Sequence, residues 1–107
     1  MKQLSVEELR QWLQDDSKKK PLILDIREVW EYQKSHLPDT QLMPMRTVPA
    51  RLFELDKYRE IVIMCHHGVR SRMMTMFLEQ QGFTAVYNLI GGIDAWSKEI
   101  DPSVPLY

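Results

Sequence analysis

The 107-residue chain has little of several residue types, and each shortage narrows the classes of protein that it can belong to. Cys65 is the only cysteine, which excludes an intramolecular disulfide and the resolving thiol that dithiol redox proteins use. No apolar run approaches the length of a membrane-spanning helix, and residues 1–5 lack the apolar core of a secretory signal. We therefore expect a cytoplasmic protein with no membrane partner, while export by another route stays open.

The charge distribution also lacks a bias of either sign. There are 14 basic and 15 acidic side chains, for a formal net charge of -1 at pH 7. Such a balance gives no electrostatic reason to expect nucleic acid as a partner. The composition, with 44% hydrophobic and 27% charged residues, is typical of a globular protein, and the length suffices for one hydrophobic core. We predict one domain over residues 1–107.

Short apolar runs alternate along the chain with segments of helical spacing. A helix is predicted after Ser5, which forms a capping-box pattern with Glu8. Strands are predicted at residues 22–24, 42–43, 61–64 and 85–89, and helices at 28–34, 46–55, from near 71 to Gly82, and 93–100. Alternating strands and helices imply parallel pairing through right-handed crossovers, so we predict a three-layer α/β domain.

The most informative stretch begins with the apolar residues 61–64 and continues into Cys65. A short polar loop containing Gly68 follows, and a helix is predicted from about Ser71. Backbone N–H groups of such a loop can converge ahead of a helix and form an anion-binding nest. Around a cysteine, these donors favour thiolate over thiol, and Arg70 and Arg72 add positive charge. This context favours a nucleophilic Cys65 over the alternative of a small buried apolar side chain.

The two histidines after the cysteine raise the alternative of a metal site. His66 and His67 are adjacent, so their side chains are expected to point in different directions, and the remaining histidine, His36, is distant in sequence. No second cluster of ligands is close to them along the chain. We therefore expect no metal.

Asp25 and Arg27 follow the predicted strand at residues 22–24. The carboxyl ends of parallel strands meet at one edge of a sheet, so both residues are expected to share a rim with Cys65. The alternative, which the sequence supports equally, is an Asp–Arg pair that only fixes the loop.

Three separated segments resemble the rhodanese family. Residues 24–32 and 36–38 (LDIREVWEY and HLP) resemble its first signature, 65–71 (CHHGVRS) its active-site loop, and 88–96 (NLIGGIDAW) its C-terminal signature. The segments occur in the order expected and span most of the chain. The resemblance implies a five-stranded parallel sheet flanked by helices, with a first strand near Gln3 at one edge.

The resemblance also implies a chemistry that needs no cofactor. The loop cysteine of rhodaneses takes a sulfur atom from thiosulfate or another sulfane donor, becomes a persulfide, and passes the sulfur to cyanide or to a thiol. Cys65 matches that cysteine, and Arg27 matches an arginine that faces the sulfonate of the donor. His67 stands where thiosulfate-active members place a basic side chain, and a neutral imidazole attracts a dianion less than a fixed cation does. We expect the substrate to be bound by six residues: Arg27, His66, His67, Gly68, Val69 and Arg70. Structural support of the site is expected from Asp25 and Ser71.

Two other functions compete with sulfur transfer. Cys-dependent phosphatases use a Cys-x5-Arg signature, but Cys65 and Arg70 enclose four residues, and Ser71 stands where that arginine would be. The smaller ring suits a sulfur atom better than a phosphate. A binding module that acts as a sulfur carrier to a relay protein has the same sequence pattern as an enzyme, so that alternative stays open.

Overall fold

A computed structural model describes all 107 residues and contains one sheet of five parallel strands. In chain order these are β1 (Lys2–Leu4), β2 (Leu22–Asp25), β3 (Thr40–Leu42), β4 (Ile61–Met64) and β5 (Val86–Leu89). Their spatial order is β1-β5-β4-β2-β3, and every neighbouring pair is parallel. The parallel sheet predicted from the sequence is confirmed, and β1 lies at an edge.

Helices cover both faces of the sheet. They are α1 (Val6–Gln14), α2 (Val29–Lys34), α3 (Val69–Gln80) and α4 (Gly92–Glu99). One apolar cluster contains Leu9 of α1 and Ile93 of α4, and the other contains Leu78 of α3. β4 contributes alternate side chains to the two clusters, which is why its sequence is apolar without interruption. None of the helices has the length and apolar character needed to cross a membrane.

The predicted start of α1 is confirmed in detail. Ser5 Oγ accepts a hydrogen bond from the Glu8 N–H at 3.0 Å, and Glu8 Oε1 accepts one from the Ser5 N–H at 2.9 Å. This reciprocal pair satisfies two donors that the first turn of a helix leaves free. The end of α3 is also as predicted, because Gly82 has a φ of +92° two residues after the last helical residue.

The covering helix predicted over residues 46–55 is wrong. The structure has two short 3-10 segments, Met45–Thr47 and Pro49–Glu54, with a non-helical Arg51 inside the second. Pro44 and Pro49 lack the N–H groups that a continuous α-helix would use, so the chain forms separate tight turns. Of the apolar residues whose spacing suggested the helix, Val48 and Leu55 are buried but Phe53 is 84% exposed, so the spacing predicted the packing only in part.

Candidate active site

Cys65 lies directly after β4, at the carboxyl end of a central strand. Its Sγ accepts hydrogen bonds from the N–H groups of Gly68, at 3.1 Å, and Ser71, at 3.3 Å. Helix α3 begins at Val69, two residues earlier than predicted, so the loop is shorter and tighter. The cysteine is 1% exposed and belongs to one of the apolar clusters, but its sulfur has polar partners within that setting. The sulfur is thus held among backbone donors of the kind expected to stabilise a thiolate.

Glycines and the start of α4 determine the orientation of the loop. The carbonyl oxygen of Cys65 accepts from the Ile93 N–H at 3.0 Å, and that of His66 accepts from the Asp94 N–H at 3.1 Å. A Cβ at Gly92 would lie 2.4 Å from the Cys65 carbonyl oxygen, so only glycine permits this approach. The N–H groups of Ile93 and Asp94 thereby bind the carbonyl groups of the loop, and the loop N–H groups stay free.

Gly68 supplies the turn into α3. Its φ is +99°, and a Cβ there would lie 3.0 Å from the Gly91 nitrogen. The N–H groups of four loop residues have no acceptor among the hydrogen bonds of the protein: His66, His67, Val69 and Arg70. The side chain of Val69 is exposed and apolar. Its backbone N–H is therefore the only group of this residue that can donate a hydrogen bond to an anion at the loop.

A chain of buried polar side chains leads from the sulfur to the edge of the sheet. Cys65 Sγ lies 3.3 Å from Ser71 Oγ, which donates to Asn88 Oδ1 at 2.5 Å. Asn88 Nδ2 in turn donates to Gln3 Oε1 at 2.9 Å. With its one hydrogen donated to Asn88, the Ser71 hydroxyl accepts from the Cys65 thiol, and it can donate to the thiolate only by turning that hydrogen away from Asn88. Ser71, expected to support the loop, therefore contacts the Cys65 sulfur through its hydroxyl and its backbone N–H.

The structure corrects the expected position of Arg27. Its guanidinium is fully buried and forms a bidentate ion pair with Asp25, with Nε 2.9 Å from Oδ1 and Nη2 2.7 Å from Oδ2. It also donates to the Ser35 carbonyl oxygen at 2.7 Å and to the Tyr107 hydroxyl at 2.8 Å. Burial opposes its charge, but the hydrogen bonds that Arg27 donates to Asp25 and Tyr107 outweigh burial and raise the pKa of Arg27. The pair fixes the loop after β2, which is the alternative that the sequence left open, and Arg27 does not face the surface.

Arg70 extends from the loop after Cys65 to α2. It donates to both carboxylate oxygens of Glu31, at 2.6 and 2.8 Å, and Glu31 is only 3% exposed. These bonds lower the pKa of Glu31 to about 2, against the opposing effect of burial. Tyr107 Oη also donates to Glu31, at 2.9 Å, and burial raises the pKa of Tyr107 to about 12. The loop is thus tied to α2 and to the C-terminal residue of the chain.

The two loop histidines stack face to face, although adjacent side chains were expected to diverge. The ring centroids of His66 and His67 are 3.8 Å apart, and Tyr107 stacks on the other face of His66 at 3.9 Å. Burial, reinforced by the neighbouring His67, lowers the pKa of His66. His67 is the outer ring, 61% exposed, and its Nε2 lies 3.9 Å from Asp94 Oδ1.

Four residues of this site were not identified from the sequence. Glu31 and Asn88 lie within the two signature segments, and their positions could have been considered. Asp94 reaches the loop only because α4 begins beside it. Tyr107 gave no signal, since its contacts depend on the path of the last seven residues.

The fold and this arrangement together define a class of α/β protein. In that class, a cysteine at the end of a central parallel strand lies inside a loop of N–H donors that opens a helix. The sequence comparisons then identify the family. Residues 5–99 match the rhodanese-like domain, and the chain belongs to the rhodanese-like family.

Named relatives support this assignment. A sulfurtransferase of Allochromatium vinosum is 41% identical over 83 residues, which cover 78% of each chain. YrkF of Bacillus subtilis, named as a proposed sulfur carrier, is 37% identical over 99 residues, which cover 92% of this chain and 52% of YrkF. The crystal structure of a rhodanese-like domain protein from Staphylococcus aureus superimposes with a TM-score of 0.85 at 31% identity, covering 100% of this chain and 99% of that one. The chain thus spans about half the length of YrkF.

Proposed function

We propose that the protein transfers sulfur through a persulfide on Cys65. The observation that carries this proposal is the position of Sγ, which lies 3.1 Å from the Gly68 N–H and 3.3 Å from the Ser71 N–H. A thiolate in that position has donors that stabilise its charge, and the thiolate is the nucleophilic form of cysteine. The sulfurtransferase named among the relatives is consistent with this chemistry.

The reaction has two displacement steps. In the first, the Cys65 thiolate attacks the outer sulfur of the donor. With thiosulfate, a new S–S bond forms, the original S–S bond breaks, and sulfite leaves with the bonding electron pair. In the second, an acceptor thiolate or cyanide attacks the outer sulfur of the persulfide, and the Cys65 thiolate is regenerated. Both steps conserve electrons, so the protein needs no redox cofactor.

The free N–H groups of the loop suit the intermediate. The terminal sulfur of a persulfide carries negative charge at neutral pH. It needs hydrogen-bond donors other than the Gly68 and Ser71 N–H groups, which already donate to Sγ. The N–H groups of His66, His67, Val69 and Arg70 have no protein acceptor and belong to the same loop. Preorganised backbone donors stabilise developing charge without reorganising. We assign substrate binding to the backbone of this loop and support of the sulfur to Ser71.

The positions of the positively charged side chains bear on whether thiosulfate, a dianion, is the preferred sulfur donor. Arg27 is buried and paired with Asp25, and Arg70 is paired with Glu31, so neither guanidinium is free to bind a sulfonate. The exposed Arg72, which lines the depression beside His67 and Gly68, is the one guanidinium at the loop without an ion-pair partner. His67 is exposed at the loop but is not a fixed cation. We propose that sulfane donors with less negative charge than thiosulfate are used at least as well, with a protein or small-molecule thiol as acceptor.

Mass spectrometry of the intact protein tests the central step. After treatment with thiosulfate and removal of excess reagent, the protein is expected to gain one sulfur, about 32 Da, which a reducing thiol then removes. Cys65→Ser should show no gain. An unchanged mass with every sulfane donor, or a gain retained by Cys65→Ser, would refute the proposal.

A second candidate is a sulfur carrier that loads and unloads with a relay protein rather than turning over small substrates. The name of the relative YrkF, a proposed sulfur carrier, supports this second candidate. Steady-state assays over a panel of sulfur donors, with cyanide and with small thiols as acceptors, separate the two. Many turnovers per Cys65 indicate an enzyme acting alone. A persulfide that forms once and stays bound in the presence of those acceptors indicates a carrier.

A further inference from the structure

The outer surface of the catalytic loop carries a cluster of metal-ligating side chains that sulfur transfer does not use. One ring nitrogen each of His66 and His67 and one carboxylate oxygen of Asp94 lie within 4.8 Å of one another. Cys65 is not part of this group. The three side chains come from two elements, the loop after β4 and the first turn of α4, which the hydrogen bond from the Asp94 N–H to the His66 carbonyl oxygen holds together at 3.1 Å.

A separate observation shows that His66 is incompletely satisfied. Its Nε2 is buried and has no hydrogen-bond partner. A buried polar atom without a partner is unusual in a folded protein and calls for a specific explanation. A bound cation beside the ring is one such explanation, because a neutral imidazole nitrogen is an acceptor for a metal ion.

We propose that His66, His67 and Asp94 form a binding site for a divalent transition-metal ion of the Zn²⁺ type. Two imidazole nitrogens and one carboxylate oxygen are a donor set that suits Zn²⁺ and its neighbours, whereas Mg²⁺ and Ca²⁺ prefer oxygen ligands. Three protein ligands leave a fourth position of a tetrahedral ion for water or for a thiolate.

The site needs a rotation of the His67 ring and a small closure to bind an ion. Ligand distances of about 2.0–2.2 Å place the donor atoms of one tetrahedral ion about 3–4 Å apart, so the group must contract slightly. In the structure His67 stacks on His66 with ring centroids 3.8 Å apart, so the in-plane nitrogen lone pairs of the two rings do not meet at one point. The 61% exposed side chain of His67 has room to rotate out of this stack and turn a ring nitrogen toward an ion held by His66 and Asp94. The Asp94 oxygen nearer to Lys98, at 3.0 Å, can keep that partner while Oδ1 turns to the metal.

Titration of the purified protein with Zn²⁺, against a competing chromophoric chelator, tests the site. The wild-type protein should bind one equivalent. His67→Gln and Asp94→Asn should each weaken binding about tenfold or more, since each removes one of three ligands. His36→Gln is the matched control, because His36 stacks on Tyr32 away from the loop and its replacement should leave the affinity unchanged.

Because a thiolate is also a zinc ligand, Cys65→Ser decides whether the sulfur is involved. The proposal expects unchanged zinc affinity in that variant, and a large loss would overturn it. Unchanged affinity in His67→Gln, whose exposed side chain makes misfolding an unsuitable explanation, would overturn it as well. In nitrogen-detected NMR spectra of the histidine rings, Zn²⁺ should shift His66 and His67 but not His36, and shifts confined to His36 would again contradict the proposal. None of these readouts depends on sulfur transfer, so the proposed function and the metal site can fail independently.

Discussion

Replacing Glu31 with glutamine tests whether the contact between the Cys65 loop and α2 is a strong buried ion pair. The carboxylate accepts from both terminal nitrogens of Arg70, at 2.6 and 2.8 Å, and from Tyr107 Oη at 2.9 Å. Glutamine keeps the size of the side chain but removes the charge. Arg70 then loses its partner, and one carboxylate acceptor becomes an amide donor in a buried position.

The magnitude follows from the pKa of Glu31. A decrease from the ordinary value of 4.5 to about 2 corresponds to about 3 kcal/mol of stability at pH 7, since one pKa unit is about 1.4 kcal/mol. A depressed carboxyl pKa stabilises the folded state fully above pH 4.5, and this contribution is lost as the pH falls through 2. At pH 3 it should therefore be about 1 kcal/mol.

Urea unfolding of the wild-type protein and Glu31→Gln at pH 7 and pH 3 measures both values. The difference in free energy of unfolding should be about 3 kcal/mol at pH 7 and should shrink by about 2 kcal/mol at pH 3. Glu54→Gln is the control, because Arg51 and Glu54 form the same two-pronged pair, at 2.8 Å, on the exposed surface. That substitution should have a much smaller effect, as exposed pairs contribute little.

Two results would refute this reasoning. An equal loss of stability at both pH values would mean that the charge of Glu31 is not what stabilises the fold. A loss in Glu31→Gln no larger than that in Glu54→Gln would mean that the buried pair behaves as an exposed one.

Two further predictions concern the other contacts of the loop. Tyr107→Phe should keep the ring on His66 and lose only the hydrogen bonds of the hydroxyl group, which lowers the free energy of unfolding by about 1 kcal/mol. Tyr107→Ala should lose the ring contact as well and lower kcat/KM further. Equal kcat/KM in the two variants would show that the stacked ring has no role. Gly92→Ala should destabilise by about 2 kcal/mol or more and slow persulfide formation on Cys65, because its Cβ would overlap the Cys65 carbonyl oxygen. Gly82→Ala is the control, because Gly82 also has a positive φ but a Cβ there would have its nearest neighbour at 3.8 Å. This variant should be destabilised only by backbone strain and should form the persulfide at the wild-type rate. Similar rates of persulfide formation in Gly92→Ala and Gly82→Ala would contradict this reasoning.

The elements that could be predicted from the sequence were those specified locally. The capping box of Ser5 and Glu8, the apolar strand β4 and the glycine after α3 each depend on a few adjacent residues. The loop around Cys65 was predictable for the same reason, since a strand, a short glycine-containing turn and a helix follow one another directly.

The features that could not be predicted depend on contacts between distant residues. Arg27 was expected at the surface, but Tyr107, 80 residues away, covers it together with the Ser35 carbonyl group. The side chains of His66 and His67 were expected to diverge, but Tyr107 on one side and Asp94 on the other hold them in a stack. A local pattern contains no information on either partner.

The position of Tyr107 has a practical consequence for protein engineering. Its ring lies on a loop histidine and its hydroxyl group is bound between Arg27 and Glu31, so any chain that follows this residue, natural or a fused reporter, emerges beside Cys65. The amino-terminal residues precede β1 and thus lie toward the opposite end of the parallel strands. Kinetic work should therefore use amino-terminal fusions, and an unexpectedly slow carboxyl-terminal fusion should first be compared with its cleaved form.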